Sequence, residues 1–259
     1  MQPGMGLGGN ATVTDSNKDI SNDDALVDGV GYTEPPTAAI PKERPGPKGG
    51  RRDTNRRERV RSLLEAAEAL FLKQGIESTT IDDITKAAGV AKGSFYRYFD
   101  GKEALVAHMF GPFSQSIGDI LRACGDELEA AQRQEDLNAA YETMAGELGA
   151  IFLTQMNLVR LYLQEARAPA TKARAPIKDL LHLVTQQCLD LTAKAHTHGI
   201  LRPFPAALSS LAVMGAVERL LLAVVQEEEI GEPLEAPAAL ISLVLDGLKR
   251  REGETPLFP

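Results

Sequence analysis

Hydrogen-bond donors are concentrated in one short segment of this chain, residues 92–98, which reads KGSFYRY. Lysine and arginine neutralise phosphates, and serine and tyrosine hydroxyls bond phosphate oxygens. In a recognition helix, the early residues lie closest to the base edges of the major groove. The segment therefore predicts a surface that contacts double-stranded DNA. Five side chains carry this chemistry: Lys92, Ser94, Tyr96, Arg97 and Tyr98.

Two short helices joined by a glycine turn must position these donors. Thr80 can cap the first helix and Asp83 can return the hydrogen bond, as in a capping box. Gly89 ends this helix, because a left-handed residue is favoured just past a helix C-terminus and glycine adopts that conformation without steric cost. On the second helix, Phe95 and Phe99 are four residues apart and are expected to face inward.

Residues 79–105 resemble the DNA-binding domain of the TetR family of transcriptional regulators. The family pattern runs close to T-(S/T)-(V/I)-x-D-I-A-x-x-A-G-V-(S/A)-x-G-(T/S)-(L/F)-Y-x-(H/Y)-F-x-x-K-E-x-L. The matching residues are Thr80, Asp83, Ile84, Ala88, Gly89, Val90, Gly93, Ser94, Tyr96, Tyr98, Phe99, Lys102, Glu103 and Leu105. The resemblance implies an all-α fold, with an N-terminal three-helix helix-turn-helix domain followed by a larger helical domain that binds a ligand and dimerises.

The resemblance also implies which positions meet the phosphate backbone or neighbouring base edges. They are Thr80, Lys92, Ser94, Tyr96, Tyr98 and Lys102. Two positions depart from the family pattern. Asp82 stands where many relatives carry a basic residue, which weakens any inference about the operator sequence. Thr85 replaces a small alanine on the inner face of the first helix, which affects packing only.

A basic segment precedes the motif. Apolar residues recur at three- and four-residue spacing over about residues 56–73 and predict the amphipathic helix that closes the head. Residues 41–61 hold nine Lys or Arg against three acidic residues, although the whole chain of 259 residues carries a formal charge of −8. Arg51 and Arg52 follow two glycines and are interpreted as a flexible arm that contacts the adjacent minor groove or phosphates. The alternative is a solvated basic linker.

Composition divides the chain into three parts. Residues 1–55, rich in glycine, proline and acidic side chains, are expected to form a disordered tail that includes the basic arm. Residues 56–101 form the predicted DNA-binding domain, and residues 102–259 the domain for effector binding and dimerisation. We find no basic segment followed by an apolar one and no apolar run of roughly 18 to 20 residues, so we expect a cytoplasmic protein without a membrane span.

Every periodic stretch of the second domain favours a helix. The expected ranges are about 102–128, 135–154, 157–166, 176–196, 205–228 and 233–251. Gly111 and Pro112 are expected to interrupt the first of them, since proline removes a backbone hydrogen bond. Such a break would act as a hinge between the ligand chamber and the head, or as a surface kink without a role.

Residues 208–225 are apolar on more than one face, which predicts a helix buried on two sides. One side would pack on its own domain and the other on a second copy of the chain, forming a four-helix bundle as the resemblance implies. The expected homodimer interface consists of Leu211, Met214, Glu218, Leu221, Leu222, Val225, Leu240, Val244 and Leu248.

Relatives enclose a small apolar or amphipathic effector among the middle helices. The candidate lining and anchor residues are Phe110, Phe113, Met144, Phe152, Met156, Arg160, Tyr162, His182 and Gln186. No catalytic motif appears, and the two cysteines and four histidines are not spaced as metal ligands, so we predict no cofactor, no metal and no enzymatic activity.

The sequence thus favours a regulator, a repressor released from its operator by its effector. Two alternatives remain: a DNA organiser that needs no effector, and an α-helical enzyme.

Overall fold

Every regular element is helical in the part of the chain that the computed structural model describes, residues 50–197, 204–232 and 235–248. The predicted all-α fold is therefore confirmed. The helices are α1 (Arg51–Gln74), α2 (Ile81–Ala87), α3 (Lys92–Tyr98), α4 (Lys102–Ala130), α5 (Gln134–Thr154), α6 (Met156–Glu165), α7 (Ala175–Thr197), α8 (Ala206–Val225) and α9 (Ala236–Leu248), with one 3₁₀ turn at Lys172–Arg174.

Helices α1, α2 and α3 form the head, and the local chemistry that the sequence predicted is present. The backbone N–H of Thr80 donates to Asp83 Oδ2 at 2.9 Å, and the N–H of Asp83 donates to Thr80 Oγ1 at 3.1 Å, which completes the capping box. Gly89 has a φ of +66°, in the left-handed region. Phe95 and Phe99 are buried in the hydrophobic core.

Helix α1 begins at Arg51, five residues earlier than predicted. Arg51 and Arg52 form its exposed first turn, so the interpretation of these two residues as a flexible arm is wrong. Asp53 in the same turn pairs with Arg57 at 3.0 Å, and such i, i+4 pairs support a helix. The predicted tail before Gly50 lies outside the described residues.

The larger domain is built around α4, which packs along α5 and α7, while α7 packs on α8 and α5 on α9. Helix α4 runs without a break through Pro112, so the predicted interruption is wrong. Gly111 and Pro112 are both exposed. The carbonyl four residues before Pro112 loses its partner on that solvent side, where water can replace it.

Helix α8 contradicts the expectation that no segment of the chain is long and apolar enough to span a membrane. It is 20 residues long with a mean hydropathy of 1.8, so length and composition alone would let it cross a membrane. The expectation that no apolar run reaches that length is therefore wrong. A single helix of this kind is weak evidence for a span, because core helices of soluble proteins have the same composition.

Candidate DNA-binding surface and effector cavity

The outer face of α3 presents the predicted DNA contacts. Because Phe95 and Phe99 anchor the helix to the core, Lys92, Tyr96 and Arg97 are left on the exposed surface. The Tyr96 side chain is 50% exposed, and its ring packs edge-on against Phe95 with centroids 5.5 Å apart. A large aromatic residue held half-exposed beside two cations is typical of a nucleic-acid contact. Ser94 is half-buried on the same helix.

Tyr98 is placed differently from the prediction. Its side chain is only 5% exposed, so the expectation that it lies on the outer face is wrong. Residues 95, 98 and 99 are three and four apart and share one face of the helix. The position was misassigned because the resemblance to the family was given more weight than this spacing.

Lys102 has a structural role that the sequence did not indicate. Its Nζ donates to the carbonyl oxygens of Ile76 at 2.6 Å, Thr79 at 2.9 Å and Glu77 at 3.2 Å. An ammonium group has three N–H donors, and these carbonyls use all three. Lys102 therefore ties the start of α4 to the loop before α2, and the structure gives no support for its predicted phosphate contact.

Thr80 is exposed at the start of α2, but its hydroxyl already takes part in the cap. Thr80 Oγ1 donates to Asp83 Oδ2 at 2.6 Å and accepts from the Asp83 N–H at 3.1 Å. The hydrogen bonds from Thr80 also hold the pKa of Asp83 below its ordinary value, so this carboxylate stays charged at the N-terminus of α2. The hydroxyl hydrogen of Thr80 is thus unavailable to a phosphate while the cap persists.

An ion pair occupies the edge of the candidate surface. Lys92 Nζ lies 2.7 Å from Asp82 Oδ1, and both side chains are exposed. The hydrogen bond that Lys92 donates to Asp82, together with the negative charge of Asp82, raises the pKa of Lys92, so the ammonium stays protonated. The acidic departure at Asp82 therefore acts directly on a residue predicted to contact DNA.

A cavity of about 270 Å³ lies between α4, α5, α6, α7, α8 and α9. Five of the nine predicted effector contacts line it, namely Phe113, Met144, Phe152, Met156 and Tyr162. The other four, Phe110, Arg160, His182 and Gln186, are not among its lining residues. Phe110 is buried in the core, where its ring packs on Phe113 with centroids 6.2 Å apart.

Helical geometry explains the three misplaced polar anchors. On α7, the cavity-lining residues are Leu180, Val184, Cys188, Leu191 and Thr192. His182 and Gln186 lie about half a turn away from Val184, on the exposed side. Arg160 is exposed beside Val159, which lines the cavity. These anchors were predicted from their residue types without regard to helical phase, and that explains the error.

The polar part of the cavity centres on Glu218, which the sequence assigned to the dimer interface. Tyr162 Oη donates to Glu218 Oε1 at 3.4 Å, and Arg167 forms an ion pair with the same carboxylate. Burial raises the pKa of Tyr162 well above its ordinary value, and the charge of Glu218 adds to the increase. Ser210 also lines the cavity, and its Oγ is buried with no hydrogen-bond partner among the described residues.

The predicted dimer residues divide between two faces. Met214, Glu218, Leu221, Leu240 and Val244 line the cavity of their own chain, and Val225 packs against the core. Leu222 is half-buried, whereas Leu211 is 59% exposed. The side chain of Leu248 lies outside the described part of the structure. The most exposed large apolar residues of α8 and α9 are Leu208, Leu211 and Leu243.

A metal centre and a reactive thiol are two further kinds of chemical site that these side chains could form. In the described ranges, no three His, Cys, Asp or Glu side chains are placed to hold a metal ion. Burial raises the pKa of the Cys124 thiol to about 12 and that of Cys188 to about 11. Neither thiol is therefore a thiolate near neutral pH, and both pack as small apolar side chains.

Helix α6 connects this cavity to the head. Tyr162 lines the cavity, and the next residues of the helix reach the head: Gln164 Nε2 donates to the carbonyl of Phe71 at 3.0 Å. The adjacent Glu165 is buried and pairs with Arg174 of the 3₁₀ turn at 2.5 Å. One helix thus contacts both the cavity and helix α1 of the head.

Comparison with known proteins agrees with this arrangement. Residues 63–109 match the sequence profile of the bacterial regulatory proteins of the tetR family. The HTH-type transcriptional repressor KstR2 of Rhodococcus jostii is 30% identical over 105 residues, which cover 40% of this chain and 52% of the relative. The HTH-type transcriptional regulator TtgR of Pseudomonas putida is 38% identical over 74 residues, 29% of this chain and 31% of the relative. The chain thus spans about half, or less, of the length of these relatives.

Solved structures share the fold over most of the chain. The fatty acid degradation regulator FadR of Bacillus halodurans superposes with a TM-score of 0.58 at 18% identity, covering 81% of this chain and 100% of FadR. The Bacillus subtilis FadR, solved in complex with stearoyl-CoA, gives 0.55 at 17% identity, covering 73% and 98%.

Fold and site define a class: a helix-turn-helix protein with a second, all-helical domain that encloses a cavity. Within this class, the head at residues 63–109 matches that of the tetR family of bacterial regulatory proteins.

Proposed function

We propose that this protein is a cytoplasmic, sequence-specific regulator of transcription, a repressor that leaves its operator when a small apolar or amphipathic effector binds. The observation that carries the proposal is the outer face of α3. Lys92, Tyr96 and Arg97 are exposed on this face, while Phe95 and Phe99 on the opposite face are buried in the core. Cations and a phenol on a short helix after a glycine turn suit a major-groove contact.

A homodimer is part of this proposal. One head of this size buries too little surface to specify an operator, whereas two heads read half-sites about one helical turn apart. Leu208 and Leu211 of α8 and Leu243 of α9 are more than half exposed and offer an apolar face for a second copy. Burying them against their counterparts removes that surface from water.

The cavity supports an effector of low polarity. Phe113, Met144 and Phe152 contribute to walls that are almost entirely apolar, which suits an aliphatic or similar molecule. The structural neighbour from Bacillus subtilis was solved with stearoyl-CoA, a ligand with a long aliphatic chain. At 17% identity this likeness shows the fold alone, so the nature of the effector rests on the cavity walls.

Helix α6 provides a route from effector to DNA. A ligand against Tyr162 acts on the same helix that holds the Phe71 carbonyl through Gln164. The effector must bind the conformation with low DNA affinity more tightly than the other, or it shifts nothing. We therefore expect effector binding to move the heads relative to each other and weaken operator binding.

The test is operator retardation. DNA fragments retained by the protein from its own genome are sequenced, and the recovered site is used in gel-shift assays. Replacing Lys92 and Tyr96 with alanine should abolish the shift without changing the mass of the protein assembly. Arg122→Ala is the matched control, because this exposed arginine lies about 30 Å along α4 from its first residue. Full binding by the doubly substituted protein would refute the role of α3.

The same assay distinguishes the effector-dependent repressor from a DNA organiser that needs no effector. If no compound of a lipid and metabolite panel stabilises the protein or releases it from the operator, a DNA organiser that uses the same head is the better description. Release by a panel member establishes the effector-dependent repressor.

A further inference from the structure

One lining residue of the cavity discriminates between ligand classes. Glu218 carries the only formal charge among the described residues that line it. Ser210 also presents a polar atom, but a hydroxyl both donates and accepts hydrogen bonds and so accommodates many groups. A carboxylate only accepts, and it repels another anion. Glu218 is therefore the residue that selects the head group of the ligand.

The surroundings of Glu218 leave it able to accept from a ligand. Its side chain is 20% exposed, and its two described partners are the Tyr162 hydroxyl and the Arg167 guanidinium. A carboxylate offers about four lone-pair sites, so these partners leave acceptor capacity unused. Tyr162 and Glu218 both line the cavity, and the hydroxyl of Tyr162 lies 3.4 Å from the Glu218 carboxylate.

Arg167 does not convert this end of the cavity into an anion site. Its side chain is 79% exposed, so solvent screens its charge, whereas Glu218 is mostly buried. The pKa of Tyr162 shows which charge dominates next to the cavity. Burial raises this pKa most, the negative charge of Glu218 raises it further, and the opposing effect of Arg167 is smaller than that of Glu218. The charge of Glu218 therefore acts on the Tyr162 hydroxyl more strongly than that of Arg167.

We propose that the cavity selects an aliphatic amphiphile whose head group donates a hydrogen bond to Glu218, an amine or an alcohol, and that it rejects the corresponding free carboxylate. This inference rests on the proposed function, in which the cavity is the effector site, and adds the chemistry of the head group. The aliphatic chain packs against the apolar walls, and the donor completes the acceptor capacity of Glu218. A carboxylate head would place two anions together in a poorly solvated site.

The experiment uses four ligands with the same ten-carbon chain: decylamine, decan-1-ol, methyl decanoate and decanoate. Calorimetric titration of the full-length protein without DNA should rank the amine first and the alcohol second. The ester, which only accepts hydrogen bonds, should follow, and decanoate should bind at least ten-fold more weakly than the amine. Equal or tighter binding of decanoate, or binding of none of the four, overturns the proposal.

Glu218→Gln keeps the shape of the side chain and removes its charge. In this variant, decylamine should lose at least ten-fold in affinity and decanoate should gain, whereas Glu147→Gln, an exposed change on α5, should leave the ranking intact. An unchanged ranking in Glu218→Gln overturns the proposal. If that variant does not fold, Arg167→Ala provides the test, because loss of the compensating cation should favour the amine further. If Arg167→Ala shows no preference for decylamine over decanoate, the proposal is wrong.

Operator retardation by the wild-type protein is measured separately. If the protein binds its operator but does not select among the four ligands, only the head-group assignment is wrong. If the protein does not bind an operator at all, the proposed function is wrong.

Discussion

The carboxylate of Glu165 accepts a hydrogen bond at 3.0 Å from the backbone N–H of Ile76, 89 residues earlier in the chain. Ile76 is buried in the loop between α1 and α2, and Glu165 is the last residue of α6. The second carboxylate oxygen pairs with Arg174 Nε at 2.5 Å. This buried contact fixes the end of the cavity helix to the loop that leads into the helix-turn-helix motif.

Replacing Glu165 with glutamine should destabilise the fold near neutral pH. The change leaves Arg174, whose side chain is 12% exposed, with only the longer ion pair to Glu77 at 3.8 Å. Breaking a buried pair from one side costs about 3–5 kcal/mol, and the remaining pair should keep the loss near the lower value. Urea unfolding at pH 7 should show this loss in the free energy of unfolding. Glu142→Gln, an exposed change on α5, should cost less than about 0.5 kcal/mol.

The same pair predicts a pH dependence. Burial alone would raise the pKa of Glu165, but the hydrogen bonds from Arg174, Ile76 and Gln164 outweigh it and hold the pKa below its ordinary value of 4.5. A carboxylate with a lowered pKa contributes stability above the ordinary value, and this contribution is lost as the pH falls through the folded-state pKa. The difference between wild type and Glu165→Gln should therefore shrink below about pH 4.5. A difference that grows on acidification would contradict this assignment.

Two lysines of the head should respond differently to substitution. Lys102→Met removes three hydrogen bonds to backbone carbonyls, so thermal unfolding should show a less stable protein. Lys92→Met removes an exposed cation, so stability should hardly change, while the salt dependence of operator binding should fall by about one unit per protomer. Gel shifts from 50 to 200 mM salt measure that slope. A reduced slope with unchanged stability in Lys102→Met would restore its predicted phosphate contact.

The head was largely predictable because its determinants are local. The Thr80 and Asp83 cap, the left-handed Gly89 and the inward Phe95 each depend on neighbours within a few residues, and the structure confirms all three. Lys102 is different, since its carbonyl partners lie 23 to 26 residues away and become close only when the head closes. Residue type alone could not distinguish a phosphate contact from such a bond.

The cavity was only partly predictable for a related reason. Apolar residues such as Phe113 and Met156 are assigned inward by helical spacing, and both line the cavity. Helix α8 is apolar on several faces, so spacing does not say which face packs on its own domain. Glu218 was assigned to a partner copy, although it faces Tyr162 within the same chain. Only the packing of α6 against α8 decides this.

Acidic substitutions on the exposed face of α8 and α9 should disrupt the proposed dimer. Leu211→Glu with Leu243→Glu places four like charges in a symmetric interface, so sedimentation should show a monomer at micromolar concentration. Operator retardation should weaken in parallel, because a single head contacts one half-site. Ala123→Glu, an exposed change on α4, should leave the dimer mass unchanged. A dimer that survives the double substitution must use another face.

Asp82→Asn should strengthen operator binding. Asp82 holds Lys92 Nζ at 2.7 Å, so Lys92 must leave this partner to meet a phosphate, and the carboxylate itself repels the DNA backbone. The pair is exposed and contributes little to stability, so the melting temperature should barely change. A several-fold rise in affinity is expected for this variant, while Asp126→Asn, an exposed change far along α4, should have no effect. Weaker binding by Asp82→Asn would mean that the carboxylate accepts a hydrogen bond from a base edge, as acidic side chains do from the amino group of cytosine. In that case Asp82, which stands where many relatives carry a basic residue, would help to specify the operator sequence instead of weakening operator binding.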